Sequence, residues 1–233
     1  MSLALDQYSV TAELAHKIGA AKLPQYIAVE GPIGVGKTTL TRRLAQVFGY
    51  QTLLEPAAEN PFLDGFYRGR QQALATQLFF LLHRSRQVED IKSNDLVGNR
   101  LVADFLMAKD RLFAKLNLDE HEFSLYEQIY RSLQIQAPEP DLVIYLQAPT
   151  SVLLSRIRQR GVDFEQSIET HYLDTLTEAY TEFFHFYDNA PLLVVNAAEI
   201  DFANNHQHFE QLLEQILTLD GMRHYFNPHP TLL

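Results

Sequence analysis

The stretch GPIGVGKTTL (residues 31–40) follows the apolar run YIAVE (26–30) and decides the fold of the chain. Its outer two glycines, with four residues between them, are followed by Lys37 and Thr38, which is the full pattern of a phosphate-binding P-loop. The glycines let backbone N–H groups close around phosphate oxygens, Lys37 reaches the β- and γ-phosphates, and the Thr38 hydroxyl ligates Mg²⁺. A strand before the loop and a helix after it complete the setting, because a helix N-terminus attracts anions. The residues expected around the donor phosphates are Gly31, Pro32, Ile33, Gly34, Val35, Gly36, Lys37, Thr38 and Thr39.

The composition argues against several classes of protein. Lysine and arginine number 19 against 29 acidic residues in a chain of 233, so the formal net charge is −10. An acidic chain binds the nucleic acid backbone poorly, and we expect no nucleic acid partner. No stretch reaches the roughly 18 apolar residues of a membrane span, and the N-terminal MSLALDQYSVTAELAHKIG lacks the apolar core of a signal peptide. Without cysteine there is no disulfide framework, and we expect a cytoplasmic protein with no membrane contact.

Five short apolar runs have the character of buried parallel strands. Longer stretches with helical spacing lie between them, and this alternation predicts an α/β fold with a five-stranded parallel sheet flanked by helices. The length suits one domain over residues 1–233. The five runs are YIAVE (26–30), TLLE (52–55), LVAD (101–104), LVIYL (142–146) and LLVVN (192–196).

Apolar and aromatic residues at helical spacing predict the longer helices. One covers residues 71–92 and another covers residues 167–188. Asp119 and Glu122 have the spacing of a capping pair at the start of a helix that continues through Leu133.

Functional residues in such sheets collect at the carboxyl ends of the strands, which directs attention to Glu55 and Asp104. Glu55 ends the second predicted strand. A carboxylate there would lie across from the γ-phosphate and accept a proton from an attacking hydroxyl. Phosphoryl transfer needs such a base to orient its nucleophile. The alternative is a solvated glutamate that caps the following turn.

The ordered set of motifs resembles the deoxyribonucleoside kinase family over most of the chain. The resemblance implies the P-loop NTPase fold, ATP with Mg²⁺ as phosphoryl donor, a deoxynucleoside as acceptor, a role in nucleotide salvage and a homodimer with a helix pair at its interface. The segment ENPFLDGFY (59–67) is most similar to bacterial members that phosphorylate deoxyguanosine or deoxyadenosine. Besides the P-loop, the matching segments are LLEPAAENPFL (53–63), FY (66–67), TQLFFLLHR (76–84), DLVIYLQAP (141–149), LLSRIRQRG (153–161) and FEQSIETHYLDTL (164–176).

The resemblance implies roles for residues of the acceptor site. Glu55 matches the glutamate that acts as base on the nucleoside 5′-hydroxyl, and Tyr67 and Glu165 match the pair that hydrogen-bonds the sugar 3′-hydroxyl. Gln77 matches a glutamine that contacts the base edge. An amide suits this contact because it offers a donor beside an acceptor.

A charged pair extends the expected base site. Arg84 lies two helical turns beyond Gln77 and matches a base-site arginine, and Asp110 matches its acidic partner. Family members with this pair tend towards purines or cytosine. We therefore favour a purine deoxynucleoside, with deoxyadenosine, deoxyguanosine and deoxycytidine left open. The alternative is that Arg84 and Asp110 are unrelated surface charges.

Three arginines mark an expected lid at about residues 156–166. At helical spacing Arg156 and Arg160 share a face, and Arg158 points away. In the family the lid arginines close over the donor phosphates, and a stabilising arginine of this kind is worth about 10³–10⁵ in rate. The resemblance thus assigns donor binding to all three, and catalysis to Arg156 beside Lys37, Glu55 and Asp104.

The chain departs from the family pattern at three positions. The acid at the end of the third strand is usually followed by arginine, but here Asp104 is followed by Phe105. Asp104 still suits the Mg²⁺ site or the 5′-hydroxyl, whereas the arginine's contribution is missing or comes from elsewhere. Val162 stands where a further lid arginine is common, and Thr76 replaces a phenylalanine before the base-site glutamine. Phe113 is then the candidate for stacking on the base.

Two rival functions remain. A thymidylate kinase shares the P-loop, a Glu-Pro after the second strand and a lid, but its phosphate acceptor calls for an arginine where this chain has Leu54. The other rival is a non-catalytic nucleotide-binding regulator. The missing arginine after Asp104 supports the regulator, and the presence of Lys37, Glu55 and Glu165 argues against it.

Overall fold

The computed structural model describes residues 10–93, 100–202 and 205–228. Within these ranges the chain alternates between helices and strands. The strands are β1 (Tyr26–Glu30), β2 (Gln51–Leu53), β3 (Leu101–Ala103), β4 (Leu142–Gln147), β5 (Leu192–Asn196) and β6 (Arg223–Phe226). The helices are α1 (Ala12–Ala20), α2 (Lys37–Phe48), α3 (Leu63–Gly69), α4 (Ala73–Ser93), α5 (Lys109–Asn117), α6 (Glu120–Ser132), α7 (Thr150–Arg160), α8 (Thr170–His185) and α9 (His206–Leu217).

The strands form one parallel sheet in the order β2-β3-β1-β4-β5-β6. The predicted α/β class and parallel sheet are confirmed, but the prediction of five strands is wrong, because the sheet has six strands within the described residues. The sixth strand pairs with β5 from Leu192 opposite Arg223 to Val195 opposite Phe226. Its sequence RHYF contains two polar residues and is partly exposed, so it lacks the apolar run on which the strand prediction relied.

The central strands are buried on both faces. Ile27, Ala28 and Val29 of β1 and residues 143, 144 and 146 of β4 have no exposed surface. Helices cover both faces of a parallel sheet, which is why these strands read as continuous apolar runs. Each fully buried Ile, Leu or Val contributes about 1.5–3 kcal/mol relative to an exposed one. The sheet is therefore a rigid platform for the residues at its carboxyl edge.

Three strand ends bring candidate site residues to that edge. β1 ends at Glu30, directly before the P-loop, and β3 ends at Ala103, directly before Asp104. β2 ends at Leu53, two residues earlier than predicted, so Glu55 lies just beyond the strand. Because the strands are parallel and adjacent, these ends lie side by side.

The helices agree with the predictions except at their ends. The predicted capping box at the start of α6 is confirmed: the Asp119 side chain accepts the N–H groups of His121 and Glu122, and the Glu122 side chain accepts the N–H of Asp119. The helix predicted over 71–92 begins at Ala73, after Gln72 with a positive φ of 61°. The helix predicted from Ser167 begins at Thr170, because residues 163–167 form a short 3₁₀ turn. Among the described helices none combines the length and apolarity of a membrane span.

Candidate active site

The P-loop is fixed by close contacts with neighbouring backbone. At Gly31, with φ +147°, a Cβ would lie 2.5 Å from the carbonyl oxygen of Leu146 in β4, so only glycine fits there. At Gly34, with φ +83°, a Cβ would lie 2.9 Å from the carbonyl oxygen of Leu153 in α7. The loop is therefore clamped between the centre of the sheet and the helix that carries the three arginines.

Lys37 begins α2 and its side chain turns back into the loop. Its Nζ donates to the carbonyl oxygens of Gly31 at 2.8 Å and of Pro32 at 3.2 Å. Burial is the largest cause that lowers the pKa of Lys37, and the charge of Lys109 lowers it further. The loop thus brings an ammonium group, backbone N–H groups and the N-terminus of α2 to one place, which is the arrangement that binds phosphate.

Two cavities share Lys37 and Thr38. We call the first the donor cavity; it lies between the P-loop, α7 and the loop that follows β5. It brings together most of the residues predicted to bind the donor. Its lining consists of Gly34, Val35, Gly36, Lys37, Thr38, Thr39, Arg156, Gln159, Arg160, Ile200, Asp201 and Phe202. Of the other predicted donor residues, Gly31 and Pro32 contact Lys37, whereas Ile33 lines the second cavity.

The three predicted lid arginines have different environments. Arg156 donates to three backbone oxygens, those of Val35 at 3.2 Å, Ala197 at 2.8 Å and Ile200 at 3.2 Å. It therefore ties the P-loop to the loop after β5, which is a positioning arrangement rather than a free guanidinium for the transferring group. Arg160 lines both cavities, and the exposed Arg158 lies outside them, as the helical spacing predicted.

The second cavity, which we call the acceptor cavity, opens beside the first. It contains Glu55 together with six other residues predicted to bind the acceptor. These six are Tyr67, Gln77, Arg84, Asp104, Phe113 and Glu165. Because Gly34, Lys37, Thr38 and Arg160 line both cavities, the two cavities adjoin at the P-loop lysine.

Glu55 is held by two cations in the acceptor cavity. Arg84 donates to its Oε1 through Nε at 2.9 Å and also through Nη2, and the Nζ of Lys109 lies 3.4 Å from the same oxygen. Burial alone would raise the pKa of Glu55, but the charges of Arg84 and Lys109 outweigh it and lower the pKa to about 2. Glu55 is therefore a carboxylate at neutral pH, not the loosely solvated strand-end residue of the alternative interpretation.

Thr38 and Asp104 together have the ligand chemistry that Mg²⁺ prefers. The Thr38 hydroxyl donates to Asp104 Oδ2 at 2.6 Å, and the backbone N–H of Glu55 donates to Asp104 Oδ1 at 2.7 Å. Burial raises the pKa of Asp104. A hydroxyl and a carboxylate side by side next to the phosphate-binding loop are oxygen ligands of the kind that hold Mg²⁺ with a nucleotide. The donor set therefore fits the predicted metal.

Tyr67 and Glu165 approach the cavity from α3 and from the 3₁₀ turn after α7. The Tyr67 ring stacks on Phe164 with the centroids 6.4 Å apart, and Glu165 forms an ion pair with Arg160. Burial is the main cause that raises the pKa of Tyr67 well above its usual value, so its hydroxyl stays a neutral hydrogen-bond donor. The two residues place a donor and an acceptor on the same wall.

The acceptor cavity also contains Gln77, which is 3% exposed, and Arg84. Arg84 forms the predicted ion pair with Asp110, so the two are not unrelated surface charges. Asp110 itself is fully buried and also accepts the hydroxyl of Tyr126. Asp110 therefore supports Arg84 from behind as its predicted acidic partner, although it is not among the residues that line the cavity. Phe113 lines the cavity and packs edge-on against Tyr180 at 5.9 Å.

Two of the three positions that depart from the family pattern are filled by buried residues. Phe105 is buried, and the Arg84 guanidinium lies 5.9 Å from its ring centroid. Thr76 is also buried, and its carbonyl accepts a hydrogen bond from Asn60 at 3.3 Å. Val162 immediately precedes the 3₁₀ turn that carries Glu165.

Sequence reasoning missed several residues of both cavities. Gln159 and residues 200–202 complete the donor cavity, and Ala57, Leu63, Phe80, Lys109 and Tyr180 complete the acceptor cavity. The rule that functional residues follow strand ends points to the loop after β5, and thus to residues 200–202. Lys109 carried no signal, because a lysine in a helix is normally a solvated surface residue.

Comparison with known proteins places this site among enzymes of one kind. A family model described as "Deoxynucleoside kinase" matches residues 27–219. A deoxyguanosine kinase of Bacillus subtilis (strain 168) is 36% identical over 200 residues, which cover 83% of this chain and 97% of the relative. A deoxyadenosine/deoxycytidine kinase of the same organism is 28% identical over 83% of this chain and 92% of its own length.

Solved structures that superpose on this chain are enzymes of the same kind. A deoxyadenosine kinase from M. mycoides with bound dATP superposes with a TM-score of 0.70 at 28% identity, covering 82% of this chain and 98% of that chain. The same enzyme with the products dCMP and a flexible dCDP superposes with a TM-score of 0.72 over 83% of this chain. The similarity that the motifs predicted is confirmed.

Proposed function

The chain belongs to the deoxynucleoside kinase family, and from this premise we propose that it transfers the γ-phosphoryl group of ATP to the 5′-hydroxyl of a deoxyribonucleoside. The product is the deoxynucleoside 5′-monophosphate, as in nucleotide salvage. One observation carries the proposal: the P-loop lysine and threonine line the donor cavity and also the acceptor cavity that contains Glu55. A phosphate held by the loop and a hydroxyl held near Glu55 are thereby brought together, which is most of what phosphoryl transfer requires.

The chemistry follows from the charges around that meeting point. The ionised Glu55 accepts the hydrogen bond, and then the proton, of the 5′-hydroxyl, while the 5′-oxygen forms a bond to the γ-phosphorus. The bond from the γ-phosphorus to the β,γ-bridging oxygen breaks, and ADP leaves with that oxygen. Lys37 stabilises the negative charge on the phosphates, and Arg160, which lines both cavities, is the lid arginine best placed to assist.

Thr38 and Asp104 would hold the Mg²⁺ ion that accompanies ATP. Their oxygens lie 2.6 Å apart beside the P-loop. When bound, the ion would neutralise part of the negative charge that develops on the phosphates during the transfer. Asp104 also accepts the backbone N–H of Glu55, so Asp104 would hold the ion and at the same time fix the backbone of the proposed general base, Glu55.

The acceptor is proposed to lie with its sugar at Tyr67 and Glu165 and its base at Gln77. Tyr67 and Glu165 would bind the 3′-hydroxyl, whereas Gln77 would read the edge of the base with its amide. Arg84 also lines the cavity, and its charge is already shared between Glu55 and Asp110. A purine deoxynucleoside is our preferred substrate, and the relatives named for deoxyguanosine and deoxyadenosine support that preference.

A second copy of the chain is the proposed protein partner. Leu82 on α4 is 41% exposed and Leu125 on α6 is 46% exposed, and these two helices pack against each other. Exposed leucines on two helices that pack together suit the apolar centre of an interface between two copies. We propose a homodimer built on this helix pair, with each copy forming one domain over residues 1–233 and acting in the cytoplasm on small molecules.

The decisive experiment is a turnover assay with ATP, Mg²⁺ and each of the four deoxynucleosides, with thymidine monophosphate as a fifth acceptor. We expect phosphorylation of at least one purine deoxynucleoside and none of the monophosphate. Turnover of thymidine monophosphate alone would favour the thymidylate kinase. Binding of ATP without turnover of any acceptor would favour the regulator.

A further inference from the structure

Lys109 is a buried lysine in the acceptor cavity to which the family resemblance gave no role. It is the first residue of α5, and the residue is 2% exposed. A buried ammonium is unfavourable unless carboxylates compensate its charge. Here two do: Nζ lies 3.1 Å from Oε1 of Glu30 and 3.4 Å from Oε1 of Glu55.

Glu30 is an anchor at the start of the P-loop. It is the last residue of β1 and has no exposed surface. Its carboxylate accepts the N–H of Gly31 at 3.0 Å, the N–H of Leu106 at 2.7 Å and the hydroxyl of Tyr180 at 3.0 Å. With the ion pair to Lys109 it is held from four directions, so its position is set by the sheet and the loop together.

Lys109 therefore connects this anchor to Glu55. The contacts of Arg84 and Lys109 with Glu55 meet at the same oxygen, Oε1. Two cations on one oxygen hold Oε1 in place and so restrict the movement of the carboxylate, and in the proposed reaction Oε2 would accept the proton. Lys109 also lines the acceptor cavity, so its ammonium borders the space where the hydroxyl would react.

We propose that Lys109 is a positioning residue of the phosphoryl transfer: its ammonium bridges Glu30 and Glu55 and so fixes the carboxylate of Glu55, the proposed general base, relative to the P-loop. The inference rests on the proposed function. It accounts for the missing arginine after Asp104, because Phe105 fills that position with a buried ring while a cation reaches Glu55 from α5. A lysine that served only to neutralise the buried Glu30 would not need to reach a second carboxylate inside the cavity.

The test compares three variants of the full chain with the wild type. Lys109→Gln keeps a hydrogen-bond donor for Glu30 but removes the charge, and Lys109→Arg keeps the charge. Lys115→Gln is the matched control, since Lys115 lies exposed on the same helix. For each protein, kcat, the KM values for ATP and for the deoxynucleoside, and the thermal unfolding temperature are measured.

The positioning role predicts that Lys109→Gln lowers kcat by about 100-fold, the effect of removing one preorganised polar group from a transition state. The KM for ATP stays within about threefold of the wild-type value, because the substitution leaves the binding of ATP unchanged. The kcat of Lys109→Arg is at least about tenfold higher than that of Lys109→Gln, and the control Lys115→Gln has the kcat of the wild type.

Two results would overturn the inference. One is a kcat of Lys109→Gln within about threefold of the wild-type value. The other is a kcat of Lys109→Arg as low as that of Lys109→Gln, with the thermal unfolding temperature of Lys109→Arg unchanged. If Lys109→Gln does not fold, Lys109→Arg decides by itself, with retained turnover supporting the role and lost turnover opposing it. A wild type without any turnover would instead refute the proposed function, and this inference with it.

Discussion

At the scale of single residues, the charge of Glu55 is set by its neighbours rather than by its own chemistry. A buried carboxyl group tends to be neutral, but Arg84 and Lys109 hold the pKa of Glu55 at about 2. Such a carboxylate is a weak base. This suits a reaction whose transition state is loose, because the nucleophile then needs orientation more than strong deprotonation.

Replacing Glu55 with glutamine tests the role proposed for this carboxylate. Glu55→Gln should lower kcat by about 10²-fold or more, since a positioned general base contributes about 10²–10⁴ in rate. The KM for ATP should stay nearly unchanged, because Glu55 lies in the acceptor cavity. Steady-state kinetics measure both, with Glu59→Gln on the exposed turn nearby as the control. An unchanged kcat would remove Glu55 from the base role.

Asp104 should set the demand for Mg²⁺. Asp104→Asn removes one carboxylate charge next to the Thr38 hydroxyl. The Mg²⁺ concentration for half-maximal activity should rise by about tenfold or more, which is the size of effect seen when metal sites lose a supporting group. Titration of turnover with Mg²⁺ measures this. Asp64→Asn, at an exposed position on α3, should leave the titration unchanged; an unchanged titration for Asp104→Asn would contradict the metal role.

At the scale of elements, the donor site depends on the fit between the P-loop, β4 and α7. The loop packs closely against both neighbours, since a Cβ at Gly31 would lie 2.5 Å from the carbonyl oxygen of Leu146 and a Cβ at Gly34 would lie 2.9 Å from that of Leu153. Arg156 adds the loop after β5 to the same assembly through its three carbonyl partners. The elements that surround the donor are therefore mutually braced before any nucleotide arrives.

Gly34→Ala should disturb this bracing. The new methyl group would lie 2.8 Å from Ile157 Cγ1 and 2.9 Å from the carbonyl oxygen of Leu153, on a residue with φ +83°. We expect a loss of stability on the order of 2 kcal/mol and a higher KM for ATP, because α7 or the loop must shift. Denaturant unfolding and kinetics measure the two effects. Gly19→Ala, which lies in α1 with open space around it, should not destabilise the protein.

At the scale of the whole molecule, the family match leaves out two elements that the structure integrates into the fold. α1 and β6 lie outside residues 27–219. α1 packs on α9, where Lys17 pairs with Glu214 at 3.4 Å. β6 extends the sheet, and Arg223 donates from it to the carbonyl of Phe184 at 2.9 Å. These additions lie at the β5–β6 side of the sheet, away from the acceptor cavity.

The proposed dimer gives a prediction at the same scale. The wild type should sediment as a dimer, and Leu82→Arg should shift it to the monomer, because a charge at the centre of an apolar interface would lose its water shell. Met222→Arg is the control: Met222 is 54% exposed and precedes β6. It should leave the dimer intact. Sedimentation of the wild type as a monomer would refute the homodimer.

A feature of the site could be predicted from the sequence when it depends on residues that lie close together in the chain. The P-loop was predictable because its glycines, Lys37 and Thr38 act through adjacent backbone, and the family order then supplied Tyr67, Gln77 and Glu165. The sixth strand was missed, because RHYF is paired mainly by its place beside β5 and not by its own apolar content. The pairing of Arg84 with Asp110 was predicted, but the complete burial of Asp110 and its contact with Tyr126 were not, because burial depends on packing between α4, α5 and α6.

The sequence by itself determined the α/β class, the phosphate-binding loop and the placement of Glu55 and Asp104 near the carboxyl ends of their strands, because these depend on short patterns and on the parallel order that such patterns impose. Only the tertiary structure decided that Glu30, Glu55, Arg84 and Lys109 share one charged network. Residues so far apart in the chain meet through the packing of α4 and α5 against the carboxyl edge of the sheet. The charge of each then depends on neighbours that no local pattern specifies.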